Sequence, residues 1–213
     1  MFELPSSTKI HKIIPKNAFD SYTNTKQKKA FVDKILRITW VNKIAFDTVN
    51  LTGVDVAEIQ LFRIELKEKT VIKDLLSIIE KSIPYHIIFW IEFGDEFYMS
   101  TSVKHLHPQN EDIAVIDYTF TSEWKTIKDN TYQIELKNNL DWVFKNFCDQ
   151  LRSIDTETKS INELVEKQKS NDAILKEIEK LKSEIARCKQ FNKKVELNIK
   201  LKKLEEDYMK RYL

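Results

Sequence analysis

Glycine is nearly missing from these 213 residues: there are two, Gly53 and Gly94. A phosphate-cradling P-loop or a dinucleotide-binding turn requires several closely spaced glycines, so that backbone amides can approach the phosphates. Nucleotide sites of those two kinds are excluded. No CxxC, HExxH or GxSxG occurs either, which removes the common zinc, metalloprotease and serine-hydrolase signatures. The two cysteines, Cys148 and Cys188, fall in unrelated helical patterns and predict free thiols in a reducing compartment, not a disulfide framework. The longest apolar run, Ile87 to Ile91, is closed by Glu92, far short of the ~20 residues that cross a bilayer. The leading stretch MFELPSSTKIHKIIPK carries charge throughout and lacks an apolar core of signal-peptide length. These absences predict a cytoplasmic protein with no membrane contact.

What is present is a globular composition with a divided charge. Apolar residues make up 42% of the chain and charged residues 32%, too hydrophobic for disorder and long enough for one sizeable core plus an appendage. Residues 156–213 hold 15 Lys/Arg against 11 Asp/Glu, whereas residues 1–155 hold 20 against 22. Tail and body therefore differ in sign, which suits a tail that docks on an acidic surface or on phosphates.

The body, 1–155, reads as α+β: a mixed β-sheet flanked by helices. Pro5 and Pro15 bracket an extended leader, and a helix starts after Thr25, burying Phe31, Val32, Ile35 and Leu36. A strand follows around Ile38 to Ile44. AEIQLFRIELKEK alternates as a strand, with Gln60, Phe62, Ile64 and Leu66 on one face; its polar half, carrying Arg63, Glu65 and Lys67, is expected to face solvent or a site. A helix from about Val71 to Ser82 places Ile72, Leu75, Leu76, Ile79 and Ile83 on one stripe, and Pro84 ends it. YHIIFWIEF is apolar on both faces, as a central strand is, and turns through GDE into FYMSTSV. Residues 106–130 read as an irregular polar connection, followed by a short strand near Tyr132 to Leu136. A helix capped by Asn138 or Asn139 then buries Leu140, Val143, Phe144, Phe147 and Leu151.

The tail, 156–213, has neither Pro nor Gly after Ser160. Ile174, Ile178, Leu181, Ile185 and Cys188 keep the four-and-three spacing of a coiled-coil seam, and Leu197, Leu201, Leu204 and Tyr208 repeat it in a shifted register. The shift falls within KQFNKKVELN. An antiparallel helical hairpin turning near Gln190 to Asn192 fits, and so does one long bent helix.

Within this tail, residues 187–203 place seven Lys/Arg against one Glu. Arg187, Lys189, Lys193, Lys194, Lys200, Lys202 and Lys203 are candidate contacts to nucleic-acid phosphates, DNA or RNA, and Phe191 a candidate stacking residue. The competing reading makes Phe191, Asn192, Val195 and Asn198 a helix-packing contact to a partner or to a second copy, with the lysines around it. A third constellation is Asp47 with Glu65-Leu66-Lys67. Restriction-type nucleases hold Mg²⁺ between an acid at one strand end and an E-x-K on the next strand, the order helix, strand, strand, helix, strand being compatible. That reading alone calls for a metal cofactor. Among the histidines, His105 and His107 lack an evident third ligand, and His86 sits beside a buried strand, where hydrogen-bonded structure is the commoner role.

Four segments carry a family resemblance: LPSSTKIHKIIPKNAF at 4–19, ITWVNKIA at 38–45, IPYHIIFWIE at 83–92 and KQFNKKVELN at 189–198. With these the chain resembles, over its whole length, the DUF4391 family of functionally uncharacterised prokaryotic proteins. Genes similar to this family commonly lie beside restriction-modification and helicase genes, which implies a role in defence against foreign DNA. On that basis the expected function is a non-enzymatic accessory subunit whose helical tail docks onto a larger partner such as a helicase or methyltransferase. Nucleic-acid binding through the basic tail, and the Mg²⁺-dependent nuclease, stand as alternatives.

Overall fold

The structure is a computed structural model that describes residues 2–153 and 157–212, with the backbone alone for 110–113 and 211–212. The chain forms two compact units, Met1–Leu151 and Arg152–Leu213.

The first unit is built on a seven-stranded mixed sheet with strands β1 (Lys9–Ile13), β2 (Ile35–Ala45), β3 (Glu58–Leu66), β4 (His86–Phe93), β5 (Glu96–His107) and β6 (Asn110–Thr121) in spatial order, and β7 (Lys125–Thr126) paired to the start of β5. Helix α1 (Thr25–Lys34) precedes β2, a single turn α2 (Phe46–Val49) follows it, α3 (Lys73–Ser82) connects β3 to β4, and α4 (Leu140–Asp149) closes the unit. All pairings are antiparallel except β3 with β4, which run parallel because α3 supplies the crossover such a pair requires.

Local chemistry sets the boundaries. Asn24 opens α1 with a reciprocal capping box: its Oδ1 accepts from Gln27 N at 3.0 Å, and Gln27 Oε1 accepts from Asn24 N at 2.9 Å. The helix stops at Lys34 and the chain becomes extended at Ile35. The helical period is thus cut short, so Phe31 and Ile35 are buried while Val32 and Leu36, expected inside, are exposed. Of the two candidate caps for α4, Asn139 accepts from Trp142 N at 2.8 Å, and Asn138 supplies the left-handed turn before it, φ 58°. Gly53 is the position where glycine is required by space, since an added Cβ would run into the Val56 carbonyl oxygen. That loop is cinched by Asp141 in the first turn of α4, whose carboxylate accepts from Val54 N, Asp55 N and Val56 N at 2.7, 3.0 and 2.8 Å.

Two expectations are overturned here. Residues 106–130 contain the twelve-residue strand β6, whose apolar run, Ile113 to Ile116, is short and closed by Asp112 and Asp117: Ala114 and Phe120 are buried, Asp117 and Tyr118 stay partly in water and Thr119 is exposed. The stretch Tyr132 to Leu136 is not a strand; Gln133 N and Gln133 O both bond the side-chain amide of Gln150. Its backbone is satisfied by α4, not by a ladder.

The sheet is covered on both faces. On one, Phe62, Ile64, Phe89, Ile91 and Tyr98 pack with Phe31 of α1 and Leu75, Leu76 and Ile79 of α3. On the other, Trp90 stacks on Phe97 at 4.0 Å and His86 lies 4.4 Å from Phe144 of α4. β3 is central and its apolar positions are buried, while on its polar half Glu65 is largely shielded and Arg63 and Lys67 reach solvent as expected.

The second unit holds α5 (Ile161–Arg187) and α6 (Phe191–Tyr212), joined by residues 188–190. Helix α6 doubles back along α5: Leu197 and Lys200 share a groove with Ala173, Glu177 and Leu181, and Lys200–Glu177 and Lys182–Glu205 ion pairs at 3.0 and 2.8 Å tie the arms together. Of the two tail forms the spacing allows, the hairpin is the one observed.

Candidate functional site

The nuclease constellation is not assembled, and strand register gives the reason. Ala45, just before α2, pairs with Glu58 at the start of β3, whereas Glu65 pairs with Arg37 at the other end of the same ladder. Seven residues at ~3.3 Å each put Asp47 roughly 23 Å from Glu65. One ion cannot bridge that gap. Each carboxylate is also engaged where it stands: Asp47 with Lys43 Nζ at 2.8 Å, which holds its pKa below the usual range, and Glu65 with Arg37 Nε at 3.5 Å. Lys67 follows β3 in exposed turn. The helix, strand, strand, helix, strand order is present, but the Asp47, Glu65 and Lys67 reading is corrected, because the first acid sits at the wrong end of β2. Among the described residues no group of three or more His, Cys, Asp or Glu could hold a metal ion.

Beside Glu65, the parallel neighbour Glu92 accepts from Arg63 Nε and Nη2 at 2.9 and 2.5 Å and from Trp90 Nε1 at 2.8 Å. With three donors on it, this carboxylate is held as structure. His105 Nδ1 lies 2.8 Å from Asp117 Oδ2, and His107 Nδ1 accepts from Gln109 N at 3.2 Å, so each ring has its own partner on the surface. His86 is different. Burial, and after it the positive charge of Lys104, push its pKa down to about 4, so the ring stays neutral near pH 7 and packs on Phe144. Burial likewise pushes the Cys148 thiol well up, which makes it unreactive, and both cysteines are free.

Sequence reading passed over a buried ion pair. Lys104 Nζ lies 2.6 Å from Glu80 Oε2, both side chains out of water, and donates to Glu80 O and Ile83 O at 2.8 Å each. The ammonium caps the C-terminal end of α3, where unpaired carbonyls favour a cation. Burial lifts the Glu80 pKa and lowers that of Lys104. The faint signal was one lysine in FYMSTSVKH, a strand otherwise without cations.

In the tail, the residues named from sequence separate into two sets. Leu197, Leu201, Leu204 and Tyr208 are half-buried on the side of α6 that meets α5. Phe191, Val195 and Ile199, each one turn beyond the last, are 79%, 41% and 65% exposed on another side, and Met209 continues that line near the end. Asn198 donates to Lys194 O at 2.7 Å, so its amide serves its own helix, and Asn192 is exposed at the first turn. The basic residues do not share one face. Lys193 and Lys200 are seven residues apart and lie together, whereas Lys194, Lys202 and Lys203 point in different directions at about 100° per residue. Arg187 ends α5 and Lys189 lies in the connection.

The family model described as a domain of unknown function, DUF4391, matches residues 2–207. Neither a curated protein nor a solved structure matches.

Proposed function

The chain belongs to the DUF4391 family, and from that premise and the geometry of α6 we propose that it is a non-enzymatic accessory subunit that docks through its helical tail onto a larger DNA-processing protein, such as a helicase or methyltransferase. The observation that carries the reading is the line of Phe191, Val195 and Ile199 in water on a helix whose other apolar line is already used against α5. A hairpin needs one seam; a second seam is a cost in solubility unless something covers it. The spacing i, i+4, i+8 is the one by which a helix lies in an apolar groove. Lys194, Lys202 and Lys203 border the line, so the complementary partner presents an apolar groove with an acidic rim. The separation of Asp47 from Glu65 favours this reading over catalysis.

The experiment is copurification of the full-length protein with a helicase or methyltransferase of its own host, for wild type and for Phe191→Glu/Ile199→Glu. Loss of the partner by the variant, with unchanged helicity, is the expected result. Undiminished copurification refutes docking through this line. A dimer in light scattering that the same variant dissolves would also refute it, since a second copy would then cover the face.

A further inference from the structure

Away from the tail, a groove of about 1180 Å³ runs between α1 and α3. Its walls repeat one device. On α1 the lining residues Lys26, Ala30 and Lys34 follow at i, i+4 and i+8; on α3 the lining residues are Lys73, Ser77 and Lys81 at the same spacing. Each helix thus offers two ammonium groups about 12 Å apart along its axis at ~1.5 Å per residue, with a small side chain between them. None of the four has an ion-pair partner among the described residues, and Asp74 is the one acid in the lining. Two further lysines join them. Lys67 N donates to Lys34 O at 2.8 Å, and Lys16 is held below the usual lysine pKa by burial and then by the charge of Lys67. Lys16 and Lys67 thus stand close enough to repel one another, next to the backbone of Lys34. Other cations of this unit do have carboxylate partners, among them Lys28 with Asp20, Arg37 with Glu65, Arg63 with Glu92, Lys69 with Glu96, Lys104 with Glu80 and Lys145 with Asp149. In a unit whose sequence carries more acids than bases, this groove sets four lysines against one acid.

We propose that the α1–α3 groove, through Lys26 and Lys34 on one wall and Lys73 and Lys81 on the other, binds the phosphate backbone of a nucleic acid. Every cation here is a lysine, a point charge on a flexible stem that binds phosphate without bidentate geometry, and the regular spacing of these charges is what favours a polymer of phosphates. About 12 Å of duplex axis carries three to four phosphates per strand at 3.4 Å each, which matches the reach of each lysine pair. Tyr22, Asn24, Gln27 and Ser77 add hydrogen-bonding groups to the lining, without any pattern that reads bases. Binding is therefore indifferent to sequence. This site is separate from the α6 line, and either can fail without the other.

The test is fluorescence anisotropy of a labelled 20-base-pair duplex of arbitrary sequence, titrated with full-length protein between 50 and 200 mM NaCl. Four neutralised phosphates predict a slope of log K against log[salt] of about −3.6, a loss of roughly a hundredfold over that range. Lys26→Gln/Lys73→Gln/Lys81→Gln, all exposed positions, is expected to lower affinity at least tenfold at 50 mM NaCl and to bring the slope to about −1. Thermal unfolding of the variant, followed by circular dichroism, is to match wild type. Lys193→Gln/Lys194→Gln in α6 is expected to leave both numbers unchanged. The proposal is overturned if the duplex does not bind, if the triple variant binds as wild type does, or if polyglutamate displaces the duplex at equal charge concentration, which would make the groove a site for acidic protein. Displacement by inorganic triphosphate at comparable phosphate concentration would overturn the polymer and leave a small-anion site.

Discussion

The sheet unit and the hairpin unit use the same kinds of apolar residue to different ends. Phe89, Trp90 and Ile91 of β4 are all but removed from water, covered by α3 on one face and α4 on the other. Phe191, Val195 and Ile199 of α6 stand in it, although Ile178 and Leu181 of the facing helix are buried. The first unit also leaves apolar side chains in water, Val32, Leu36, Phe46 and Val54 among them, but its core is closed and even the buried charges Glu80 and Lys104 are paired. The hairpin has more apolar surface than its own fold uses. An apolar line of that kind over successive turns of one helix is the surface the proposed docking would cover.

The sharpest way to break this contrast is to remove one partner of the buried charge pair. Lys104→Met leaves the Glu80 carboxylate buried alone and the last carbonyls of α3 uncapped, and is expected to cost about 3–5 kcal/mol in urea unfolding. Lys104→Met/Glu80→Leu is expected to regain most of that loss, because an apolar pair of similar volume removes the uncompensated charge. If the double variant is no better than the single one, the pair is not the reason for the loss.

Next in size is pH. His86 titrates near 6.5 in the unfolded chain and at about 4 in the fold. Between those values the unfolded state binds a proton that the native state refuses. Its contribution is therefore whole above pH 6.5 and is lost as pH falls through the window, by roughly 3 kcal/mol. Comparing wild type with His86→Phe from pH 7 to pH 4 isolates this effect, and parallel stability curves would contradict it.

Much of the sheet unit was legible because its elements are strongly periodic and locally capped. The apolar run of β4, the stripe of α3 and the Asn139 cap of α4 each state their role within a dozen residues. What escaped depends on neighbours distant in sequence. β3 alternates like a half-exposed strand, yet it lies between β2 and β4, so Arg63 and Glu65, still partly in water, pair with Glu92 and Arg37 on the neighbouring strands. Asp47 was grouped with Glu65 because nothing local reveals which end of a ladder an acid will occupy. The same holds for the groove lysines: Lys26 and Lys81 are 55 positions apart, and only the packing of α1 beside α3 makes them one surface. In the hairpin, spacing revealed the seam, and the basic segment singled out Phe191 and Val195 as a packing contact, but not Ile199.

A smaller effect is expected at Gly53. Gly53→Ala pushes a methyl group into the Val56 carbonyl and the Asp141 carboxylate, and is expected to destabilise by about 1–3 kcal/mol in the same unfolding assay. An unchanged midpoint would show that the loop relaxes around it. Smallest of all is the expected effect of Phe191→Ser or Ile199→Ser on stability, within about 0.5 kcal/mol, as for other exposed substitutions. A loss above 2 kcal/mol from either would show that the α6 line is part of the folded core and would erase the contrast between the two units.

Photocrosslinking tests the docking claim most directly. With p-benzoylphenylalanine in place of Phe191, Val195 or Ile199, irradiation in the native host is predicted to join this chain to one larger protein, while the same group in place of Lys193 or Lys200, on another side of α6, does not. No adduct from the three apolar positions, or an adduct only to a second copy of this chain, would contradict the account.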